Sequence, residues 1–133
     1  MDISAQNQGD DSPSENIPQG PGIHVALDEC LNYASWQNSV PFLKSLEVQN
    51  PAAETLTDLV LSMHTEPEFA RPKQWRFERI APGTSIKVND LLVDLDPSYL
   101  NGLNEAERGQ VRFSLQQGET LLAERIKEVR VLA

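Results

Sequence analysis

The side chains in this sequence that could do chemistry are two histidines, one cysteine and a scatter of hydroxyls and carboxylates. His24 and His64 lie 40 residues apart, and neither belongs to a paired-ligand motif of the kind that builds a zinc site. They read as surface histidines on strand faces. Cys30 would meet His24 only by accident of folding, so it reads as a core thiol and not as an activated nucleophile. Ser98 and Ser114 lack the GxSxG elbow that exposes a nucleophilic serine. Asp94 and Asp96 flank Leu95 in a spacing open to calcium, but further oxygen ligands do not follow at loop spacing, and Asp96 is better used as a helix cap. The sequence has no Gly-rich GxxxxGKS/T loop to cradle a phosphate. These residues assign no catalytic, metal or cofactor-binding site, and the expected role is non-enzymatic, with no cofactor.

One stretch carries a different chemistry. Arg71, Lys73, Trp75, Arg76 and Arg79 interleave cations with an aromatic ring, as a groove for single-stranded nucleic acid would. The overall balance argues against direct nucleic-acid binding, because the chain carries 20 acids against 11 bases, a net charge of −9. Asp2, Asp10, Asp11 and Glu15 supply four of those negative charges, so residues 16–133 remain acidic. The plainer reading is that the basic residues solvate a strand and its approach.

The elements that must position these residues are extended. Between Phe42 and Thr65 two alternating runs flank Asn50-Pro51-Ala52-Ala53-Glu54. Phe42, Lys44, Leu46 and Val48 share one face of the first run, and Leu59, Leu61 and Met63 one face of the second. Such alternation marks half-buried strands, and the link suits a long hairpin loop. An earlier strand starts at Ile23, Val25 and Leu27 and runs towards Leu31 or Tyr33. An irregular passage follows to Pro41, with Tyr33 and Trp36 capping one end of the core. Gln74–Ile80 is a strand with Trp75 and Phe77 on one face, and Ala81-Pro82-Gly83-Thr84 a type II turn. Ser85–Leu95 is a strand run broken by a parity flip near Asn89-Asp90. Asp96 then caps a helical crossover over about 97–108, with Pro97 at its first position. Gln110–Gln116 is a strand with Val111, Phe113 and Leu115 inward. Gln117-Gly118 turns into a last strand, Glu119–Ala133, whose parity shifts near Arg125-Ile126. The expected fold is all-β: an immunoglobulin-like antiparallel β-sandwich of about seven strands with one short helical crossover.

Residues 1–21 are polar, acidic and almost without apolar side chains, which predicts a disordered leader ahead of a sandwich over 22–133. The final residues, Val131-Leu132-Ala133, still follow a strand pattern, which suggests a fragment of a longer chain. Hydrophobic content of 39% with 23% charged residues fits a soluble class, and no apolar run approaches the ~18 residues of a membrane span. The N-terminus has no secretory pattern and the single cysteine cannot form an internal disulfide, so a cytoplasmic location is expected.

Several passages together resemble a known family. These are Leu31-Asn32-Tyr33-Ala34, Gln37-Asn38, Val40-Pro41 and Val48-Gln49-Asn50, then Leu95-Asp96-Pro97-Ser98-Tyr99-Leu100 and Leu103 to Gly109. Over residues 23–133 the chain resembles the N-terminal β-sandwich region of large bacterial proteins built around a superfamily 1 helicase core, often with a Vsr-like or restriction-like nuclease domain. The family's ATP-binding and nuclease residues have no counterpart here. The resemblance implies a cytoplasmic accessory module that docks to the rest of its parent chain or to a protein partner, in DNA or RNA processing and in defence against foreign DNA. An extracellular adhesion-type sandwich is the remaining alternative.

Overall fold

The structure, a computed structural model, describes residues 20–133. Most of the expected leader therefore lies outside the described residues. In chain order the elements are β1 (Gly22–Leu27), β2 (Cys30–Leu31), α1 (Tyr33–Gln37), β3 (Leu43–Asn50), β4 (Leu56–Glu66), β5 (Lys73–Ile80), β6 (Thr84–Lys87), α2 (Pro97–Asn101), β7 (Glu107–Gln117) and β8 (Thr120–Val131). They form a three-stranded sheet in the order β1-β3-β6 and a five-stranded sheet in the order β2-β8-β7-β4-β5. All pairings are antiparallel except the two-residue match of β2 to β8, which is parallel. This is the immunoglobulin-like plan, with its first strand divided between the two sheets.

Alternation accounts for the layers. Leu59, Leu61 and Met63 of β4 and Val111, Phe113 and Leu115 of β7 are all buried, and as cross-strand neighbours they form the inner face of the larger sheet. Ile23, Leu46 and Val48 oppose them from the smaller sheet. Each such side chain contributes about 1.5–3 kcal/mol by leaving water. Two turns fall where glycine accepts a left-handed backbone: Gly83 at φ 67°, where the chain crosses from β5 to β6 in the other sheet, and Gly118 at φ 61°, in the β7–β8 hairpin.

The largest departure from expectation is at Asn50–Glu54. β3 and β4 do not pair, and the link carries the chain from one sheet to the other. Alternation says that a strand has one buried face, and not whether the next strand lies beside it or across the core. Asn50, fully buried, organises this corner. Its Nδ2 donates to the carbonyls of Glu54 (2.8 Å) and Ile80 (2.9 Å), and its Oδ1 accepts from the Ala52 amide (3.2 Å).

Other boundaries move for local reasons. The first strand breaks at Asp28-Glu29, where the chain changes sheets, and α1 replaces the irregular passage after it. Register slips between Ala26 and Leu27, leaving Lys44 as the extra residue of β3. Leu43 and Phe42 are therefore buried, and Lys44 points out to within 3.5 Å of Asp28. Only Ser85–Lys87 of the expected 85–95 strand pairs, with Thr84 ahead of it; beyond it the chain bends at Asn89 and forms no ladder, with Leu95 bridging to Ala70. The helical crossover is confined to Pro97–Asn101, because Gly102 ends it and Glu107 already belongs to β7. The Asp96 cap is as expected, with Oδ1 accepting from the amides of Ser98 and Tyr99. In β8 the parity shifts at Leu122 and not near Arg125-Ile126, since Leu115 faces Ala123 while Gln116 faces Leu121. Ala123, Val129 and Val131 then share the inner face.

Candidate functional site

The surface feature with the strongest case for function lies beside the edge strand β5. From Val88 to Leu95 the chain runs as a strap, bent at Asn89 and held by a few anchors. The Val88 amide donates to Leu46 O (2.8 Å), the Trp75 indole N–H to Asp90 O (2.8 Å), the Lys73 ammonium to Leu92 O (2.6 Å) and the Arg71 amide to Asp94 O (2.9 Å). Two ion pairs reinforce them: Lys73 Nζ to Asp90 Oδ2 at 2.9 Å, and Arg71 Nε to Asp94 Oδ2 at 3.0 Å. The Lys73 hydrogen bond and then the Leu92 amide hold the Asp90 carboxyl below its ordinary value. The α2 cap follows at once, tied back by the Asp96 amide to Phe69 O (2.8 Å).

The facing wall is α1 and the chain that leaves it. Asn32 caps this single turn by accepting from the Ser35 amide (2.9 Å), and the Val40 amide closes it onto Ser35 O (2.9 Å). Tyr33 packs against the core and stacks obliquely on Trp36, ring centroids 5.3 Å apart. Trp36 thereby stays partly outside.

Between the walls lies an open groove of about 930 Å³. Its apolar lining includes Trp36, Val40, Pro41, Leu91, Leu92 and Val93, and its polar lining Asp90, Asp94 and Lys44. Five large apolar side chains are well exposed among the described residues, and Trp36 (39%), Val40 (40%) and Leu92 (77%) all fall here. Scattered exposed apolar residues mean little, but a contiguous set in a concavity marks an interaction surface.

Of the basic and aromatic residues singled out from the sequence, Arg71, Lys73 and Trp75 meet at the strap, and Arg76 and Arg79 lie apart from them. Trp75 is buried at 8% exposure, with its indole N–H spent on the strap. Arg71 and Lys73 are held in the ion pairs above, and Lys73 Nζ lies 5.5 Å from the Trp75 ring centre. Arg76 alternates to the outer face, while Arg79 sits opposite Thr57, at the end of β5 away from Lys73. They do not share one continuous face.

His24 and His64 are exposed, on different sheets. His64 borders a hollow of about 180 Å³ with Glu66 and Arg112. Cys30 is exposed on β2 and not the core thiol expected, because the first strand breaks before it and the buried position falls to Leu31. It borders a hollow of about 400 Å³ with Arg108 and Arg130. Ser114 is half-buried opposite Ser62 on the outer face, and Ser98 is exposed on α2. Among the described residues, no three His, Cys, Asp or Glu side chains cluster to hold a metal ion.

Sequence reasoning missed the strap and the role of α1. One signal was present: Leu91-Leu92-Val93 is an uninterrupted apolar triplet inside a run that otherwise alternates. In extended chain, such a triplet puts apolar groups on both sides, and only one side can face the core.

No helix among the described residues is long and apolar enough to cross a membrane. No protein-family model matches the chain, and no curated protein is significantly similar to it.

Proposed function

We propose that this chain is a non-catalytic interaction domain that docks a polypeptide, either another part of its own parent chain or a separate protein, in the groove between α1 and the strap. The observation that carries this reading is the concentration of Trp36, Val40 and Leu92, exposed, in one concave surface. Interface cores favour such aromatic and aliphatic anchors, rimmed by charge. The dispersal of His24, Cys30, His64 and Ser114 supports a role without catalysis.

In this reading the parent is a cytoplasmic, helicase-related protein that processes DNA or RNA in defence against foreign DNA, and the sandwich is its accessory module. That assignment rests on the motifs from Leu31 to Asn50 and from Leu95 to Gly109. The net charge of −9 and the internal use of Lys73, Arg71 and Trp75 favour a protein partner over nucleic acid.

The test is a photo-crosslinking amino acid at position 92, incorporated in cells that carry the natural gene. A defined polypeptide adduct at position 92, absent when the same group is placed at Arg76 on the outer face of β5, is expected. Equal labelling from both positions, or none from 92, would overturn the reading.

A further inference from the structure

The strap has a second property, in its backbone. The carbonyls of Asp90, Leu92 and Asp94 all point to one side, where the Trp75 indole, the Lys73 ammonium and the Arg71 amide take them up. An extended chain aims successive residues' N–H and C=O groups to opposite sides. The groups of Leu91 and Val93 therefore face away from β5. Among the described residues they make no backbone hydrogen bond. An apolar groove thus runs beside a row of free donors and acceptors.

Open edges are normally defended, and this fold defends another one. β8 pairs on its outer side only through Arg130 and Val131, which leaves its edge open from Thr120 to Glu128. There the positions facing the core side, opposite Phe113 and Val111, are Arg125 and Lys127. Inward-pointing charges oppose the addition of another strand. The strap offers Leu91 and Val93 instead.

Charge narrows the occupant. Asp90 and Asp94 line the groove with side chains 64% and 67% exposed. The one cation in the lining, Lys44, is drawn to Asp28. On a chain of net charge −9, an acidic segment would be repelled.

We propose that the strap recognises its partner by strand addition: an extended polypeptide segment, apolar at alternate positions and basic at its flanks, hydrogen-bonds to Leu91 and Val93 and packs its apolar side chains against Trp36, Val40 and Leu92. This rests on the docking role of the groove and names its mode. Main-chain bonds supply affinity in such recognition, and the side-chain pockets supply register.

The test uses the full chain, labelled with nitrogen-15, and a capped heptapeptide, Lys-Val-Thr-Val-Thr-Val-Lys. Two further peptides carry N-methyl groups on one or the other set of alternate residues, which removes donors from one edge while keeping every side chain. On addition of the parent peptide, the Leu91 and Val93 amides are expected to shift and to exchange with solvent about tenfold more slowly, and the Trp36 indole resonance to move. One N-methylated isomer should bind about tenfold more weakly or worse, and the other about as well as the parent, since several hydrogen bonds are lost on only one edge. If both isomers bind like the parent, or Trp36 moves while Leu91 and Val93 stay unprotected, strand addition is overturned and the docking role of the groove stands. Absence of binding at about 1 mM peptide, the weak limit of measurable affinity, also overturns strand addition, and crosslinking from position 92 then decides the docking role by itself.

Discussion

Lys73 Nζ stands 2.9 Å from Asp90 Oδ2 and, with the same ammonium group, donates to the Leu92 carbonyl at 2.6 Å. One side chain on the edge strand thus holds both the charge and the backbone of the strap that forms one wall of the groove. Its side chain is mostly shielded, at 21% exposure, and its ammonium lies over the Trp75 ring. The aliphatic stem of Lys73 carries the charge across an apolar surface to reach its two acceptors.

Replacing Lys73 by Met keeps the stem and removes the ammonium. The Asp90 carboxyl, held below its ordinary value of 3.8 chiefly by that ammonium, should then titrate at a higher pH, read from its side-chain carbon shift by NMR. A lowered folded-state pKa contributes stability above the unfolded value and loses it as pH falls through the folded one. In the native chain the strap should therefore stay anchored down to below pH 3.8 and loosen under more acidic conditions. In K73M that loosening should move to higher pH, and exchange of the Leu92 amide, which donates to Asp90 Oδ1 at 3.2 Å, should quicken at neutral pH. Unchanged exchange would mean that the Trp75 and Arg71 bonds alone hold the strap.

Asn50 is a buried amide whose two donors and one acceptor are all matched at the corner between the sheets. Asn50→Ala strands the Ile80 carbonyl away from water and removes the donor from the more exposed Glu54 carbonyl. A buried unsatisfied group costs about 1–3 kcal/mol, so a loss of about 1–3 kcal/mol is expected in urea unfolding. Asn50→Asp should be no milder, since a carboxylate has no proton to give those carbonyls. A loss under about 0.5 kcal/mol would show that water replaces the amide.

Gly109 lies beneath Phe69. A Cβ there would come within 3.0 Å of Phe69 Cε2 and 3.4 Å of Val129 Cγ2 and the Glu66 carbonyl. Phe69 cannot easily retreat, because it is fully buried and packs edge-on against Phe42, centroids 6.1 Å apart at 89°. Gly109→Ala should cost about 1–3 kcal/mol by overpacking. In a Phe69→Leu background the same substitution should cost less, and a double-mutant cycle in chemical unfolding measures the coupling. Strict additivity would place the clash elsewhere.

Tyr99 on α2 donates its hydroxyl to the Glu107 carboxylate at the start of β7. Burial and that bond push its pKa up to about 12. The neutral phenol is the form that the fold favours, so its contribution is complete below pH 10, where unfolded tyrosine begins to ionise, and is lost as pH rises through about 12. Absorbance titration near 295 nm should show one phenol ionising late. Glu107→Gln should bring that transition down towards 10, with the part due to burial remaining.

The sandwich was legible in residue order because its signals are local. The alternation of Leu59, Leu61 and Met63, and of Val111, Phe113 and Leu115, marks buried faces wherever those strands end up. Pro97 after Asp96, and Gly118 in its turn, act through backbone geometry within a few residues of themselves. Alternation has no memory of which sheet it serves. The chain from Phe42 to Thr65 reads as a hairpin until Asn50 is seen gathering carbonyls from residues 54 and 80 to turn it across the core. The same holds at the groove. Leu91-Leu92-Val93 shows in sequence only as an excess of apolar residues, and Lys73 only as one cation among several. What makes them a surface is that residues 19 positions apart meet, Lys73 with Leu92, while Trp36 approaches from the opposite wall. Those meetings depend on long-range closure of two sheets, which no local preference encodes.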